Sequence, residues 1–211
     1  YDDGVLVMGF SPQQGKVFEV YDRIALGGVG HPADVERLRM TLLDMAHLEG
    51  FNRSAQDVTL ARLLQFGIAP ALKQNFEEIQ RAPYIIRLLL AELDHDCNPT
   101  FFRINYDGHW ETFKSGTVIA GNEKVMDWIQ QEIQNLPFAT FTLDKALEEV
   151  CRLWVESKKQ QEEEKDFPQT LKEAFDQWVL EGAVLLGKVE RRAIYRALTK
   201  EEIEKLKSSV G

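Results

Sequence analysis

The sequence predicts an α+β fold, and within that class a four-layer α-β-β-α sandwich in which two antiparallel sheets lie between helix pairs. Two observations carry this prediction. Strand-like segments and pairs of long amphipathic helices follow each other in blocks, and Asp-Gly turns mark strand ends. Such blocks are typical of α+β folds, whereas a parallel sheet needs strands and helices in alternation. The 211 residues can bury one substantial core, so a single domain over 1–211 is expected.

The stretch 16–39 has the clearest pattern, because two apolar strands, a polar turn, a glycine-rich corner and a helix start follow one another. Three glycines remove side chains where another group must approach the backbone closely: Gly27, Gly28 and Gly30. Pro32 suits the first turn of a helix. Lys16 therefore leads into a strand pair that ends at exposed helix amides, and this arrangement favours binding of a carboxylate.

A short apolar strand at 5–8 follows the turn signal Asp3-Gly4. An Asp-Gly pair is usually the tip of a hairpin, so a further strand is expected to precede it, upstream of Tyr1. A segment of that kind, together with any N-terminal gate, would lie outside the 211 residues.

The first helix is expected to run from Pro32 to near Gly50. Ser54 begins a capping-box pattern and predicts a second long helix from that point. Pro70 lies well inside this helix and should kink it, because proline removes a backbone donor and clashes with the preceding turn.

The second half of the chain predicts a sheet, two more long helices, two closing strands and a short helix. A buried strand over 84–93 precedes a hairpin that turns at Asp107-Gly108, and 118–121 is expected to end this sheet. Capping residues mark three helix starts: Asn122, Thr142 and Thr199. The other predicted segments are a charged surface stretch at 158–166 and closing strands at 178–186 and 193–198.

Composition excludes several classes of function. A net charge of −9 argues against nucleic acid and anionic membranes as partners. No apolar run is long enough to span a bilayer, and the start lacks a signal-peptide pattern. Cys97 and Cys151 are too few for a disulfide framework and are expected to be reduced and buried. No phosphate loop, CxxC, HExxH or GxSxG occurs, so neither a cofactor nor a metal is expected.

Several segments resemble the proteasome subunit family in their order and spacing, over almost the whole chain. Each fragment is modest, and together they are specific. They are DDGVLVM at 2–8, GKVFEVYDRIALGGVGHPADVERLR at 15–39, RAPYIIRLLLAELD at 81–94, FFRINYDGHWETFKSGTVIAG at 101–121 and LEGAVLLGKVERRAIYRALTKEEIEKL at 180–206. The resemblance implies the N-terminal-nucleophile hydrolase fold, which agrees with the layers predicted above.

The family contains catalytic β-type subunits, whose N-terminal threonine cleaves peptides, and non-catalytic α-type subunits. Tyr1 is not a nucleophile, Phe10 stands where β-type chains place a supporting acid, and only a short connection separates Phe10 from Lys16. These features resemble bacterial α-type subunits, so no catalytic residue is expected. The alternative is a β-type or ancestral threonine peptidase whose nucleophile lies upstream of Tyr1.

For an α-type subunit, the resemblance implies docking of an activator tail at Lys16, Gly30 and His31. Lys16 would pair with the C-terminal carboxylate of a tail ending in a hydrophobic-tyrosine-any motif. The implied partners are a homo-heptameric ring, catalytic β-type subunits, a ring-shaped ATPase or other activator, and unfolded protein substrates. The ring would gate substrate entry, and the implied location is cytoplasmic.

Overall fold

A computed structural model describes residues 1–12, 15–80, 82–158, 168–190 and 193–210. The described strands form two sheets, and every pairing is antiparallel. One sheet has the order β1-β7-β8, with β1 Gly4–Ser11, β7 Val179–Leu186 and β8 Tyr195–Ala197. The other runs consecutively through β2 Val17–Tyr21, β3 Ile24–Gly30, β4 Ile86–Leu93, β5 Pro99–Asn105 and β6 Trp110–Phe113.

Helices pack on the outer faces of both sheets. Those between β3 and β4 are α1 Pro32–Asn52, α2 Leu60–Leu63 and α3 Ala69–Glu77, with a π-helical segment Leu64–Ile68 joining the last two. Those after β6 are α4 Glu123–Asn135, α5 Leu143–Ser157, α6 Leu171–Gln177 and α7 Lys200–Val210.

Separate apolar clusters define four layers. The largest joins α1, α2 and α3 to the five-stranded sheet and includes Leu26, Leu42 and Leu64. A second cluster, around Val5 and Ala91, lies between the two sheets. A third packs α5 and α7 against the outer face of the three-stranded sheet. The four-layer sandwich of two antiparallel sheets is thus confirmed, because each sheet buries both faces.

Two details differ from the predictions, and a third prediction falls almost entirely outside the described residues. Residues 118–121 form no strand; Val118 and Ala120 instead pack in the cluster that joins α4 to α5. Ser54 caps only a short 3₁₀ turn at Ala55–Asp57, and the second helix begins at Leu60. The predicted charged stretch 158–166 lies outside the described residues apart from Lys158.

The short helix α6 was missed, because its seven residues are too few to show a helical period. Its start carries a local signal nonetheless. Thr170 Oγ1 accepts the N–H of Glu173 at 3.2 Å, which satisfies one of the unpaired donors of the first turn. Cys97 is also exposed rather than buried, since it lies in the tight turn between β4 and β5.

Capping predicts the starts of α4, α5 and α7 correctly. Asn122 and Thr142 accept backbone N–H groups at the starts of α4 and α5. At α7 the capping box closes in both directions. Thr199 Oγ1 accepts the N–H of Glu202 at 3.2 Å, and the Glu202 carboxylate accepts the N–H of Thr199 at 2.7 Å. Local chemistry therefore sets these starts before any tertiary contact is made.

Pro70 lies in the first turn of α3, directly after the π-helical segment Leu64–Ile68. A proline cannot donate to the carbonyl of the preceding turn, and its ring crowds that carbonyl. A π segment, with its wider turn, relieves this conflict without ending the helix. The helix is therefore locally widened beside Pro70, whereas the predicted kink stays a prediction.

Glu92, on β4, gives the fold a pH dependence. Its carboxylate accepts the N–H of Leu60 at the start of α2 at 3.1 Å. Burial raises the pKa of Glu92 above its ordinary value, although the Leu60 hydrogen bond opposes this. A raised folded pKa means that the stabilisation from this group is present at low pH and is lost as pH rises through the folded pKa.

We expect Glu92→Gln to lose less stability than the parent chain between about pH 4 and pH 7, because glutamine keeps an acceptor for Leu60 and carries no charge. Urea unfolding across this range measures the difference. The exposed Glu77→Gln serves as the control and should follow the parent chain. A Glu92→Gln curve parallel to that of the parent would contradict the assignment.

Candidate docking site

Lys16 lies at the start of β2 and is half-buried. Its carbonyl accepts the N–H of Gly28 at 3.0 Å, which joins the start of β2 to the end of β3. Its ammonium lies 3.5 Å from the carbonyl oxygen of Gly30. None of the ion pairs among the described residues includes Lys16. The ammonium therefore keeps its charge available for an incoming anion.

Gly30 ends β3 and turns the chain into α1. Its φ of +136° lies in a region that side chains rarely adopt, and a Cβ here would lie 2.4 Å from the carbonyl oxygen of Ile85. Gly28 is needed for a different reason, since a Cβ there would lie 2.5 Å from a methyl group of Val35 on α1. The predicted close approach to the glycine-rich corner is thus present at both positions.

The helix amides that were predicted to be exposed are occupied in the structure. His31 is the N-cap of α1, and its Nδ1 accepts the N–H of Ala33 at 3.3 Å. The N–H groups of Asp34 and Val35 bond to the His31 carbonyl, and Pro32 has none. The prediction that free amides would bind the carboxylate is therefore wrong for this conformation. The Lys16 ammonium therefore remains as the group that can bind a carboxylate. His31 follows Gly30 in the sequence and is exposed.

A cavity of about 450 Å³ lies beside the docking site. Its lining is largely apolar and includes Lys16, Val7, Gly27 and Leu89. It also follows β1, which is the first strand of its sheet and has no partner on its other side among the described residues. The site therefore combines the Lys16 ammonium with apolar surface.

Phe10, where β-type chains carry an acid, belongs to an aromatic cluster. Its ring centroid lies 4.8 Å from that of Trp154 and 5.3 Å from that of Phe175, and Trp154 in turn contacts Trp178 at 6.2 Å. Such tilted and edge-on pairs stabilise a packed aromatic group. A carboxylate would be poorly placed among these aromatic rings.

Neither the buried Cys151 thiol nor any described cluster of side chains is set up for nucleophilic or metal chemistry. Burial raises the pKa of the Cys151 thiol to about 12, with a smaller contribution from the Glu148 charge, so this thiol stays protonated at neutral pH. No cluster of three or more histidine, cysteine, aspartate or glutamate side chains able to hold a metal occurs in the described part of the chain. No described helix is long and apolar enough to cross a membrane.

Sequence reasoning missed Glu181, on β7. Its carboxylate accepts the N–H groups of Gly15 and Lys16 at 2.6 Å each, and that of Val17 at 3.2 Å. A signal was present in the sequence. Glu181 has the same two-residue period as the buried Ala183 and Leu185, so the strand pattern places an ionisable group on the face turned toward the other sheet.

The four-layer sandwich, with a lysine at the start of β2 and a glycine corner entering α1, defines a subunit of the N-terminal-nucleophile hydrolase fold. The family model for proteasome subunits matches residues 7–164. The chain belongs to the proteasome subunit family.

Among curated proteins, the chain is similar to bacterial proteasome α subunits. It is 31% identical to that of Thermomonospora curvata over 210 residues, covering 98% of this chain and 83% of the relative. It is 35% identical to that of Mycobacteroides abscessus over 127 residues, covering 58% of this chain and 48% of the relative. It is 35% identical to that of Nocardioides sp. over 111 residues, covering 51% and 43%. In the last two cases the match spans less than half of the relative.

Proposed function

We propose that the chain is a non-catalytic α-type subunit of a proteasome core particle. Seven copies would form an outer ring that stacks on a ring of catalytic β-type subunits and gates the entry of unfolded protein. Similarity to α subunits over 98% of the chain supports the subunit type. The packed aromatic environment of Phe10 supports the absence of threonine-peptidase catalysis. The cytoplasm is the location that this assembly implies.

The observation that carries the docking role is the ammonium of Lys16, which has no ion pair among the described residues and lies at the edge of an apolar cavity. An ammonium suits the C-terminal carboxylate of an activator tail, since charge-assisted hydrogen bonds are about twice as strong as neutral ones. Gly30 shapes the corner that Lys16 faces, and His31 caps the helix that follows. These three residues are the proposed docking site for a ring-shaped ATPase or other activator.

Exposed apolar side chains support assembly with other subunits. Met40, Leu48 and Phe51 recur at helical spacing on α1, and Phe51 is 88% exposed. Phe66, on the π-helical segment, is 67% exposed. Clustered exposed apolar residues of this size mark protein contacts more often than chance. We propose that this helical face contacts another subunit of the core particle.

The open side of β1 supports a further strand before Tyr1. The Asp3-Gly4 turn is a hairpin signal, and an unpaired strand edge beside an apolar cavity is otherwise a template for aggregation. A preceding strand would cover this edge and fill part of the cavity.

Co-expression of the natural full-length product with a catalytic β-type subunit, followed by imaging of the complex, tests the assignment. We expect outer rings of sevenfold symmetry made of this chain, with a strand paired along β1. The outer-ring subunit alone should show no hydrolysis of fluorogenic peptides. Peptide hydrolysis by this subunit alone, with a threonine exposed upstream of Tyr1, would instead establish the peptidase alternative.

A further inference from the structure

We propose that Glu181 is a positioning residue for the Lys16 ammonium, a role that rests on the proposed docking function. The contact joins the two sheets. Glu181 belongs to β7 of the three-stranded sheet, and the N–H groups that it accepts belong to the start of β2 in the five-stranded sheet. Three consecutive N–H groups on one carboxylate form a compact anion-binding turn.

Gly15 makes this turn possible. Its φ of +89° lies in the left-handed region, and this brings successive N–H groups to the same side of the chain. The two shortest of the three hydrogen bonds, from Gly15 and Lys16, are both 2.6 Å long, as charge-assisted bonds are. Glu181 and Gly15 are therefore two independent parts of one clamp.

The clamp fixes the Lys16 backbone, from which the side chain extends. The Lys16 N–H donates to Glu181, and its carbonyl accepts the N–H of Gly28 at 3.0 Å, so both of its backbone polar groups are bonded. Only the side chain retains freedom, and its ammonium is directed to the Gly30 carbonyl at 3.5 Å. A fixed backbone at Lys16 reduces the conformational entropy that is lost when a ligand binds the ammonium.

The clamp also occupies the carboxylate that would otherwise compete for the ammonium. Glu181 bonds the backbone of Lys16 but forms no ion pair with its side chain within 4.0 Å. A Glu181 carboxylate released from the three N–H groups would be free to turn to the Lys16 ammonium and neutralise it. Glu181 thus holds Lys16 in place and leaves its charge available for a ligand carboxylate.

The test compares two forms of one probe on the assembled ring: a short peptide ending in Leu-Tyr-Ala, as the free acid and as the C-terminal amide. The ratio of the two affinities reports the contact between ammonium and carboxylate, and a general loss of stability would weaken both forms alike. The parent ring should bind the acid more tightly than the amide. The Lys16→Ala ring gives the ratio of the two affinities when the contact between ammonium and carboxylate is absent. In Glu181→Gln we expect the ratio to fall about tenfold, because glutamine has one acceptor oxygen and turns an NH₂ donor toward N–H groups.

Glu202→Gln is the matched control. Its carboxylate also accepts a backbone N–H, from Thr199 at 2.7 Å, but it caps α7 and should leave the acid-to-amide ratio unchanged. Gly15→Ala provides the second variant, since it strains the clamp while keeping Glu181, and it should lower the ratio in the same direction. This variant carries the test if Glu181→Gln does not assemble.

The outcomes separate the two proposals. A parent ring that binds acid and amide equally would overturn the docking function, and the role of Glu181 with it. A parent ring that prefers the acid, a Lys16→Ala ring that does not, and a Glu181→Gln or Gly15→Ala ring with the full parental ratio would overturn the positioning role alone.

Discussion

Lys16→Ala should abolish activator-stimulated degradation while the ring still assembles. The ammonium has only a 3.5 Å contact with the Gly30 carbonyl and no ion pair among the described residues, so its loss costs the fold little. Its loss should cost docking much more. A hydrogen bond to a charged group contributes about 1.5–3 kcal/mol, which is roughly 10- to 150-fold in affinity for each tail.

Several tails of one activator would engage one ring, and a loss at each site is amplified when the sites act together. We therefore expect stimulation to fall by more than the single-site factor. Size-exclusion chromatography measures assembly, and degradation of an unfolded protein with and without the activator measures stimulation. Lys73→Ala is the control, because it removes the same charge from an exposed position on α3, where Lys73 pairs with Glu77 at 3.4 Å. Full stimulation of the Lys16→Ala ring would contradict the docking proposal.

Elements with a local signal could be predicted from the sequence, and elements set by distant contacts could not. The starts of α4, α5 and α7 follow from side chains that bond their own first turns, so Asn122, Thr142 and Thr199 identify them without tertiary information. Residues 118–121 were wrongly taken as a strand, because apolar β-branched residues also suit packing against α4 and α5.

In the candidate docking site, too, features with a local sequence signal could be predicted and features set by distant contacts could not. Lys16 and the glycine corner could be identified from the sequence. The glycines and the helix start are recognisable from residues that are neighbours in the chain. The occupancy of the α1 amides depends on the orientation of the His31 ring, which no sequence pattern specifies. The bond from Glu181 to the Lys16 backbone joins residues 165 positions apart, so only the packing of two sheets could show it.

Gly30→Ala should cause a large loss of stability. The substitution forces an L side chain into φ +136° and places its Cβ 2.4 Å from the backbone oxygen of Ile85. Backbone strain of this kind costs about 1–3 kcal/mol, and overpacking against fixed atoms costs a similar amount, so we expect a loss of roughly 2–5 kcal/mol. Denaturant unfolding of the parent and variant chains measures it.

Gly121→Ala is the matched control. A Cβ there would meet no atom within 4 Å, and this glycine has no positive φ. We expect a change within about 0.5 kcal/mol of the parent chain, as for most exposed substitutions. Equal stabilities for the two variants would show that the β3–α1 corner can rearrange, and the geometry given for Gly30 would then be wrong.

The Gly30 result has a consequence for the docking site that does not depend on any activator. The carbonyl of Gly30 accepts a hydrogen bond from the Lys16 ammonium at 3.5 Å, and the backbone that carries this carbonyl can turn this way only without a side chain. A destabilised Gly30→Ala chain would therefore establish that the corner is rigid whether or not a tail binds there. Because a rigid corner fixes the Gly30 carbonyl relative to the helix start, this part of the docking geometry would be set by folding before a ligand arrives.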